Sequence, residues 1–326
     1  MGGMARVAAI DCGTNSIRLL VADVTVSADG SSTLRDVHRE MRIVRLGQGV
    51  DATGELAPEA VRRTADALAD YAVIARRKGA RAVRMVATSA TRDARNRDEF
   101  FGMTAELLAP WGSGAEVISG DEEAALSFSG AVGDLDPADG PFLVMDVGGG
   151  STELVLGDWD GTSASITAAR SVDIGCVRIT ERCLASDPPT EAEIAAGAAF
   201  AGEVLAEAFA AVPVAMARTW VGVAGTVTTL SAVAQGLTEY DSERTHLSRL
   251  SRTDLDRTAT TLLTADHATR SAMGAVHPGR VDVIGGGALI VRTVAGHLAD
   301  TAGISELLVS EHDILDGIAL SISPSS

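Results

Sequence analysis

Two aspartates, Asp11 and Asp146, each end a short apolar run and lead straight into a turn of small and hydroxyl residues. The first turn holds Gly13, Thr14, Asn15 and Ser16, and the second holds Gly148, Gly149, Gly150, Ser151 and Thr152. Glycine lets the backbone come close to a bound group, and successive N–H groups flanked by hydroxyls form a nest for an anion. Phosphate is the guest that suits such a turn. A carboxylate beside it would repel phosphate unless a divalent cation lay between them, and Mg²⁺ held by one or two carboxylates plus phosphate oxygens is the usual solution. Each turn therefore reads as half of a metal–phosphate site.

Two glutamates bear on the same chemistry. Glu153 lies seven residues after Asp146, early in the returning strand, where a tight hairpin would fold the two carboxylates towards one cation. Glu123 stands in VISGDEEAALSF, in the first turn of an expected helix, where the helix dipole favours a negative charge. Glu122 fits that description equally well, and the residues alone do not choose between them. With phosphate and metal in place, the reaction would be transfer to a hydroxyl or to water. Either needs charge neutralised and a nucleophile aimed, and a carboxylate base would suit water.

Other chemistries find little support. Lys78 is the sole lysine against 26 arginines and sits in ARRKGA, which excludes a Walker loop. No GxSxG elbow occurs. The histidines, His38, His246, His267, His277, His297 and His312, have no triad or HxxxH spacing and read as surface or packing residues. Cys12, Cys176 and Cys183 lack zinc-type spacing and read as buried, reduced thiols.

The elements that must position these residues show in a repeat. Residues 5–23, ARVAAIDCGTNSIRLLVAD, align without a gap onto 140–158, GPFLVMDVGGGSTELVLGD, at an offset of 135. Each copy predicts a β-hairpin with its Asp at the end of the first strand. Two such hairpins imply two related domains facing a shared cleft. Between them the pattern predicts a strand over 33–45, a helix from Pro58 to Gly79, a strand over 81–88, the polar turn SATRDARN, and a helix from about Asp98 to Pro110. A strand over 115–119 and a helix over 121–132 complete this α/β order.

GDLDPADGP (133–141) has the composition of a linker, which puts the domains at 1–133 and 134–309, with a closing helix over 310–326 packing back on the first. In the second domain a strand over 163–171, a helix around 176–184 and an Ala-rich helix capped by Thr190 and Glu193 follow the hairpin. RTWVGVAGTVTTLSAV (218–233) predicts a strand, a glycine turn and a helix whose N-terminus could meet another anion. VDVIGGGALIV (281–291) repeats that theme, and a strand near 304–309 runs into the closing helix.

The formal net charge is −17, which argues against nucleic acid or an anionic membrane as partner. The imbalance is uneven: residues 1–133 carry 16 Lys+Arg against 18 Asp+Glu, and residues 134–326 carry 11 against 26. A polyanion should approach along the first domain, where Arg76, Arg77, Lys78, Arg81, Arg84, Arg92, Arg95 and Arg97 gather, although a solvated basic helix end explains the same gathering. No apolar run reaches the length of a bilayer span and no cleavable signal precedes the first strand, so a cytoplasmic place is expected.

The chain resembles the exopolyphosphatase and guanosine pentaphosphate phosphohydrolase (Ppx/GppA) family, of the sugar kinase, heat-shock chaperone and actin superfamily. The matching stretches are AIDCGTNSIRLL, VATSATRDARN, VISGDEEA, VMDVGGGSTELV, SVDIGCVRIT, DPPT, GVAGTVTTLSAV and DVIGGGALI. The resemblance implies an α/β fold of two actin-like (ribonuclease H-like) domains around a central cleft. It makes Glu123 the base that activates water, Asp146 and Glu153 metal- and water-orienting carboxylates, Asp11 a further metal residue, and Arg92 a phosphate-gripping arginine. Asp11, Gly13, Thr14, Asn15 and Ser16 match its first phosphate loop, Gly148 to Thr152 its second, and Gly225 with Thr226 a loop holding phosphate or nucleotide. Two departures stand out: Ala125 where many members have Arg, and Leu315 and Asp316 in DILDG where GLREG is common.

The implied activity is metal-dependent release of terminal orthophosphate from polyphosphate. The alternative is removal of the 5′-γ-phosphate of guanosine pentaphosphate, with nucleotides as further ligands. More distant are a sugar or acetate kinase and an actin-like or chaperone-type nucleotide switch, which lack the VISGDEEA segment or phosphate release. The resemblance also implies a homodimer. Because 326 residues cover the two actin-like domains without the added helical domains of longer members, a preference for short polyphosphate is expected.

Overall fold

The computed structural model describes residues 4–27 and 31–322, in two compact units. The first comprises Met1–Gly133, Asp160–Ser163 and Ile314–Ser326, and the second Asp134–Trp159 and Ala164–Asp313. Residues 323–326 of the closing segment lie outside the described residues.

The first unit is built on β1 (Met4–Cys12), β2 (Ser16–Val26), β3 (Ser32–Ile43), β4 (Ala82–Ala87) and β5 (Ala115–Val117), in the order β3-β2-β1-β4-β5. β1 runs antiparallel to β2 and parallel to β4, and β5 is parallel to β4. β1 is a near-continuous apolar run because both its faces are covered: Ala8, Ile10 and Cys12 enter one core, Val7 and Ala9 another. Helices α1 (Val50–Thr53), α2 (Pro58–Lys78), α3 (Ser89–Asp93), α4 (Arg97–Leu108) and α5 (Gly120–Ala131) fill the connections. The expected polar turn SATRDARN is corrected in part. Ser89, Ala90 and Thr91 are buried, and that burial winds them into α3, which carries Arg92.

Strand register explains one buried charge. Asp23 on β2 faces Arg6 of β1 on one side and Arg35 of β3 on the other. Arg6 Nε donates to its Oδ1 at 2.7 Å and Arg35 Nη2 to its Oδ2 at 2.6 Å. The guanidinium of Arg6, then that of Arg35, hold the Asp23 carboxyl down to about 2 against the burial that opposes them. A depressed folded-state value gives stability that is present above about pH 4 and is lost as pH falls through about 2. Asp23→Asn should therefore flatten the acid limb of thermal unfolding over that interval, and an unchanged pH profile would remove Asp23 from the acid response.

The second unit repeats the pattern with β6 (Phe142–Val147), β7 (Thr152–Trp159), β8 (Ala164–Val172), β9 (Thr219–Val223), β10 (Arg249–Ser251) and β11 (Glu306–Val309), in the order β10-β11-β9-β6-β7-β8. Read outward from its first strand, each sheet has two antiparallel neighbours on one side and two parallel strands on the other, with β10 added to the second. This doubled α/β arrangement is the actin-like fold. Its helices are α6 (Cys176–Cys183), α7 (Glu191–Ala211), α8 (Ala224–Ala234), α9 (Ser242–Thr245), α10 (Arg252–Thr264), α11 (His267–Ser271) and α12 (Ile284–Ala302).

Two expectations are corrected here. α7 is long and apolar enough to cross a membrane by length and composition. Its apolarity is largely alanine; Gly197, Ala201, Leu205 and Ala208 form its buried stripe, and Thr190 and Glu193 close a capping box at its start. The segment VDVIGGGALIV contains no strand, since its glycines lie inside α12. The reason is close approach: a Cβ on Gly287 would fall 2.5 Å from Thr226 Cγ2 and 3.1 Å from Cys176 Cβ.

The chain ends in α13 (Ile314–Ser321), part of the first unit. Leu315 and Asp316, the departures from the common motif, are both buried there. Leu315 joins the core beneath β1 and β2, and Asp316 pairs with both terminal nitrogens of Arg39.

Candidate active site

In the second unit, strand register places Asp146 of β6 directly opposite Glu153 of β7, and Glu153 opposite Ser171 of β8. Ser171 Oγ donates to Glu153 Oε1 at 2.6 Å. Asp146 is 6% and Glu153 1% exposed. Like charges directly across a ladder destabilise it, and more so out of water. A hard, oxygen-seeking divalent cation is the compensation this donor set fits.

The turn that follows is braced from behind. Gly148 N–H donates to Ser151 O at 3.1 Å. The Gly148 carbonyl accepts from Cys176 N at 2.9 Å, the Gly149 carbonyl from Val177 N at 2.9 Å and Arg178 N at 3.2 Å, all at the start of α6. Arg178 Nε donates to Gly150 O at 3.0 Å. A trans peptide points its N–H opposite its C=O, so these bonds turn the N–H groups of Gly149, Gly150 and Ser151 away from α6. None of the three donates to a backbone carbonyl among the described residues. The contact needs glycine at 175, where a Cβ would fall 2.4 Å from the Gly149 carbonyl carbon. Thr152 gives its hydroxyl to Ile174 O at 2.5 Å and so braces the turn.

The first unit repeats the turn and changes the charge. Gly13 N–H donates to Ser16 O at 3.0 Å, the same bond at the same offset. Thr14 O accepts from Gly47 N at 2.8 Å, which turns the Asn15 N–H away from that loop, and Asn15 O accepts from Val44 N and Arg45 N. Opposite Asp11, however, stands Arg18, whose Nε and Nη2 reach Asp11 Oδ2 at 2.9 and 2.7 Å. Arg18 aligns on Glu153, so one copy of the hairpin neutralises its aspartate internally and the other doubles its negative charge.

Arg92 and Glu123 come together in the first unit, after the carboxyl ends of the parallel strands β4 and β5, the end at which ligands bind in open α/β sheets. Arg92 Nη1 donates to Glu123 Oε2 at 2.7 Å and to Ile118 O at 3.2 Å. Ser119 caps α5 by accepting the Glu122 N–H at 3.1 Å. The helix then separates its two glutamates: Glu123 is 8% exposed, whereas Glu122 is exposed and pairs with Arg84 at 2.7 Å. The rest of the basic gathering does not join this pair. Arg76, Arg77, Lys78 and Arg81 are exposed, and Arg95 pairs with Glu55 at 3.3 Å.

Gly225 and Thr226 open α8, which follows β9, the parallel neighbour of β6. Ala224 takes a left-handed φ of 66°, a conformation that costs a non-glycine residue energy and clusters at functional turns. The Arg280 guanidinium lies against Gly225, where a Cβ would fall 2.2 Å from its Cζ. The turn after β9 is thus faced by a fixed cation.

A model of the Ppx/GppA phosphatase family matches residues 24–322. The chain belongs to the Ppx/GppA phosphatase family. It is 57% identical over 322 residues to a Mycobacterium tuberculosis protein named exopolyphosphatase 2, covering 98% of this chain and 99% of that one. A crystal structure of an exopolyphosphatase-like protein is 43% identical with a TM-score of 0.89, covering 97% of this chain and 98% of the other. The Aquifex aeolicus PPX-GPPA enzyme is 30% identical with a TM-score of 0.77, covering 98% and 100%.

Within this Ppx/GppA protein the structure gives roles to residues that sequence reasoning did not single out: Arg18 on Asp11, Ser171 on Glu153, Arg178 on the glycine turn and Arg280 on Gly225. Arg18 carried a signal in its alignment on Glu153, and Ser171 and Arg178 lie within the matching stretch SVDIGCVRIT, which assigns them no partner. Arg280 lies outside the matching stretches.

Proposed function

We propose that this protein is an exopolyphosphatase that releases terminal orthophosphate from linear inorganic polyphosphate by attack of water. The substrate rests on the 57% identity, end to end, with exopolyphosphatase 2. The chemistry rests on one observation, the buried Asp146–Glu153 pair facing each other beside a turn of outward N–H groups. Mg²⁺ or another divalent cation, when bound, would neutralise charge on the phosphoryl oxygens, and Asp146 and Glu153 would hold it.

Phosphoryl transfer asks little covalent chemistry of the protein; it asks for positioning and charge. The two glycine–hydroxyl turns and the α8 N-terminus with Arg280 grip phosphate oxygens. Arg92 divides its donors between Glu123 and substrate phosphate. Glu123 accepts a proton from the attacking water, and its charge-assisted bond to Arg92 keeps the carboxylate aimed. The described cysteines are free thiols, two of them buried, as suits the reducing cytoplasm in which we place the reaction.

The test is phosphate release from short and long polyphosphate, guanosine pentaphosphate and ATP, with and without Mg²⁺. Polyphosphate should be the best substrate, and only with the metal. Faster release from guanosine pentaphosphate or ATP would overturn the assignment.

A further inference from the structure

The histidines that look scattered in sequence are not all scattered in space. His246, ahead of β10, and His312, after β11, meet at Asp134, the first residue of the second unit. His246 Nε2 lies 3.3 Å and His312 Nδ1 2.8 Å from the same atom, Asp134 Oδ2, and the rings stand 4.8 Å apart with a 34° tilt. The three donor atoms all lie within 4.8 Å of one another. We propose that Asp134, His246 and His312 form a second metal site, for a borderline cation of the Zn²⁺ type. It does not rest on the exopolyphosphatase reading.

The donor set and its spacing carry the proposal. With Zn–N and Zn–O bonds of 2.0–2.1 Å, tetrahedral ligands sit about 3.3 Å apart, a figure within half an ångström of both measured separations. Two imidazoles with one carboxylate suit zinc and its neighbours, whereas Mg²⁺ prefers oxygen alone. The site therefore differs in kind from the Asp146–Glu153 pair. Three protein ligands leave a fourth position for water. Glu311 Oε1 accepts from the Tyr240 and Thr245 hydroxyls.

One rearrangement accompanies loading. As the ring stands, His246 Nδ1 accepts the Glu311 N–H at 3.2 Å, so Nε2 carries the hydrogen given to Asp134. Ligation through Nε2 moves that hydrogen to Nδ1, and in His312 from Nδ1 to Nε2. The count of ring protons is unchanged, and Glu311 N–H is released. A bound ion would pin together the segments by which the chain enters the second unit after Gly133 and leaves it before Ile314.

The experiment is titration of the chelator-treated full chain with Co²⁺ in excess Mg²⁺, followed by displacement with Zn²⁺. We expect one equivalent with the intense visible bands of four- or five-coordinate cobalt. Affinity should fall more than about 100-fold in His246→Ala and His312→Ala, beyond the range seen when groups outside the ligand shell change. It should not change in His267→Ala, which disturbs the surface pair of His267 and Asp282. Weak octahedral bands only, or equal binding by the two variants, would overturn the site. X-ray absorption of the zinc-loaded native chain needs no variant: two imidazoles and oxygen support the proposal, and a sulfur or all-oxygen shell sinks it.

Discussion

Glu123→Ala is expected to lower kcat for phosphate release by about 100- to 10,000-fold, the range that a positioned acid or base contributes. The fold should survive, because Ser119 still caps α5. Arg92 keeps its bond to Ile118 O. Glu123→Gln sharpens the result, since its amide oxygen can still accept from Arg92 but the group cannot take a proton from water. If Gln loses as much as Ala, the role is proton acceptance; if Gln restores turnover, the role is to hold Arg92. Near-normal release by both would remove Glu123 from the reaction.

Glu153→Gln should cost at least about 100-fold in turnover, comparable to the loss of one electrostatic contact to the reacting group. Ser171 can still donate to the remaining oxygen of the variant, so the pairing of β7 with β8 should survive. Native protein should gain stability with added Mg²⁺, as any ligand of the folded state confers, and the variant should gain little. A variant that keeps its turnover, or responds to Mg²⁺ like the native chain, would refute the shared cation site.

Much of this was readable from the chain because the informative parts are local. A hairpin announces itself within twenty residues, and its register follows from the turn. Asp146 opposite Glu153, and Asp11 opposite Arg18, are consequences of where Gly148 and Gly13 close their loops. The α2 span likewise followed from Pro58 and helical spacing of its apolar residues. The strand expected in VDVIGGG failed because three glycines can mark a loop or a close helix crossing, and only the neighbours Cys176, Thr180 and Thr226 distinguish these.

Sequence alone determined the doubled hairpin and the turns that set Asp146 opposite Glu153, since each depends on contacts within a few residues. Tertiary structure decided what those residues meet. It buried Glu123 with Arg92 and left Glu122 outside with Arg84, set Arg280 over Gly225, and drew His246 and His312 onto Asp134. Such pairings join segments far apart along the chain. Their energy comes from charges and hydrogen bonds brought together by the packing of whole sheets, and no short stretch of residues encodes it.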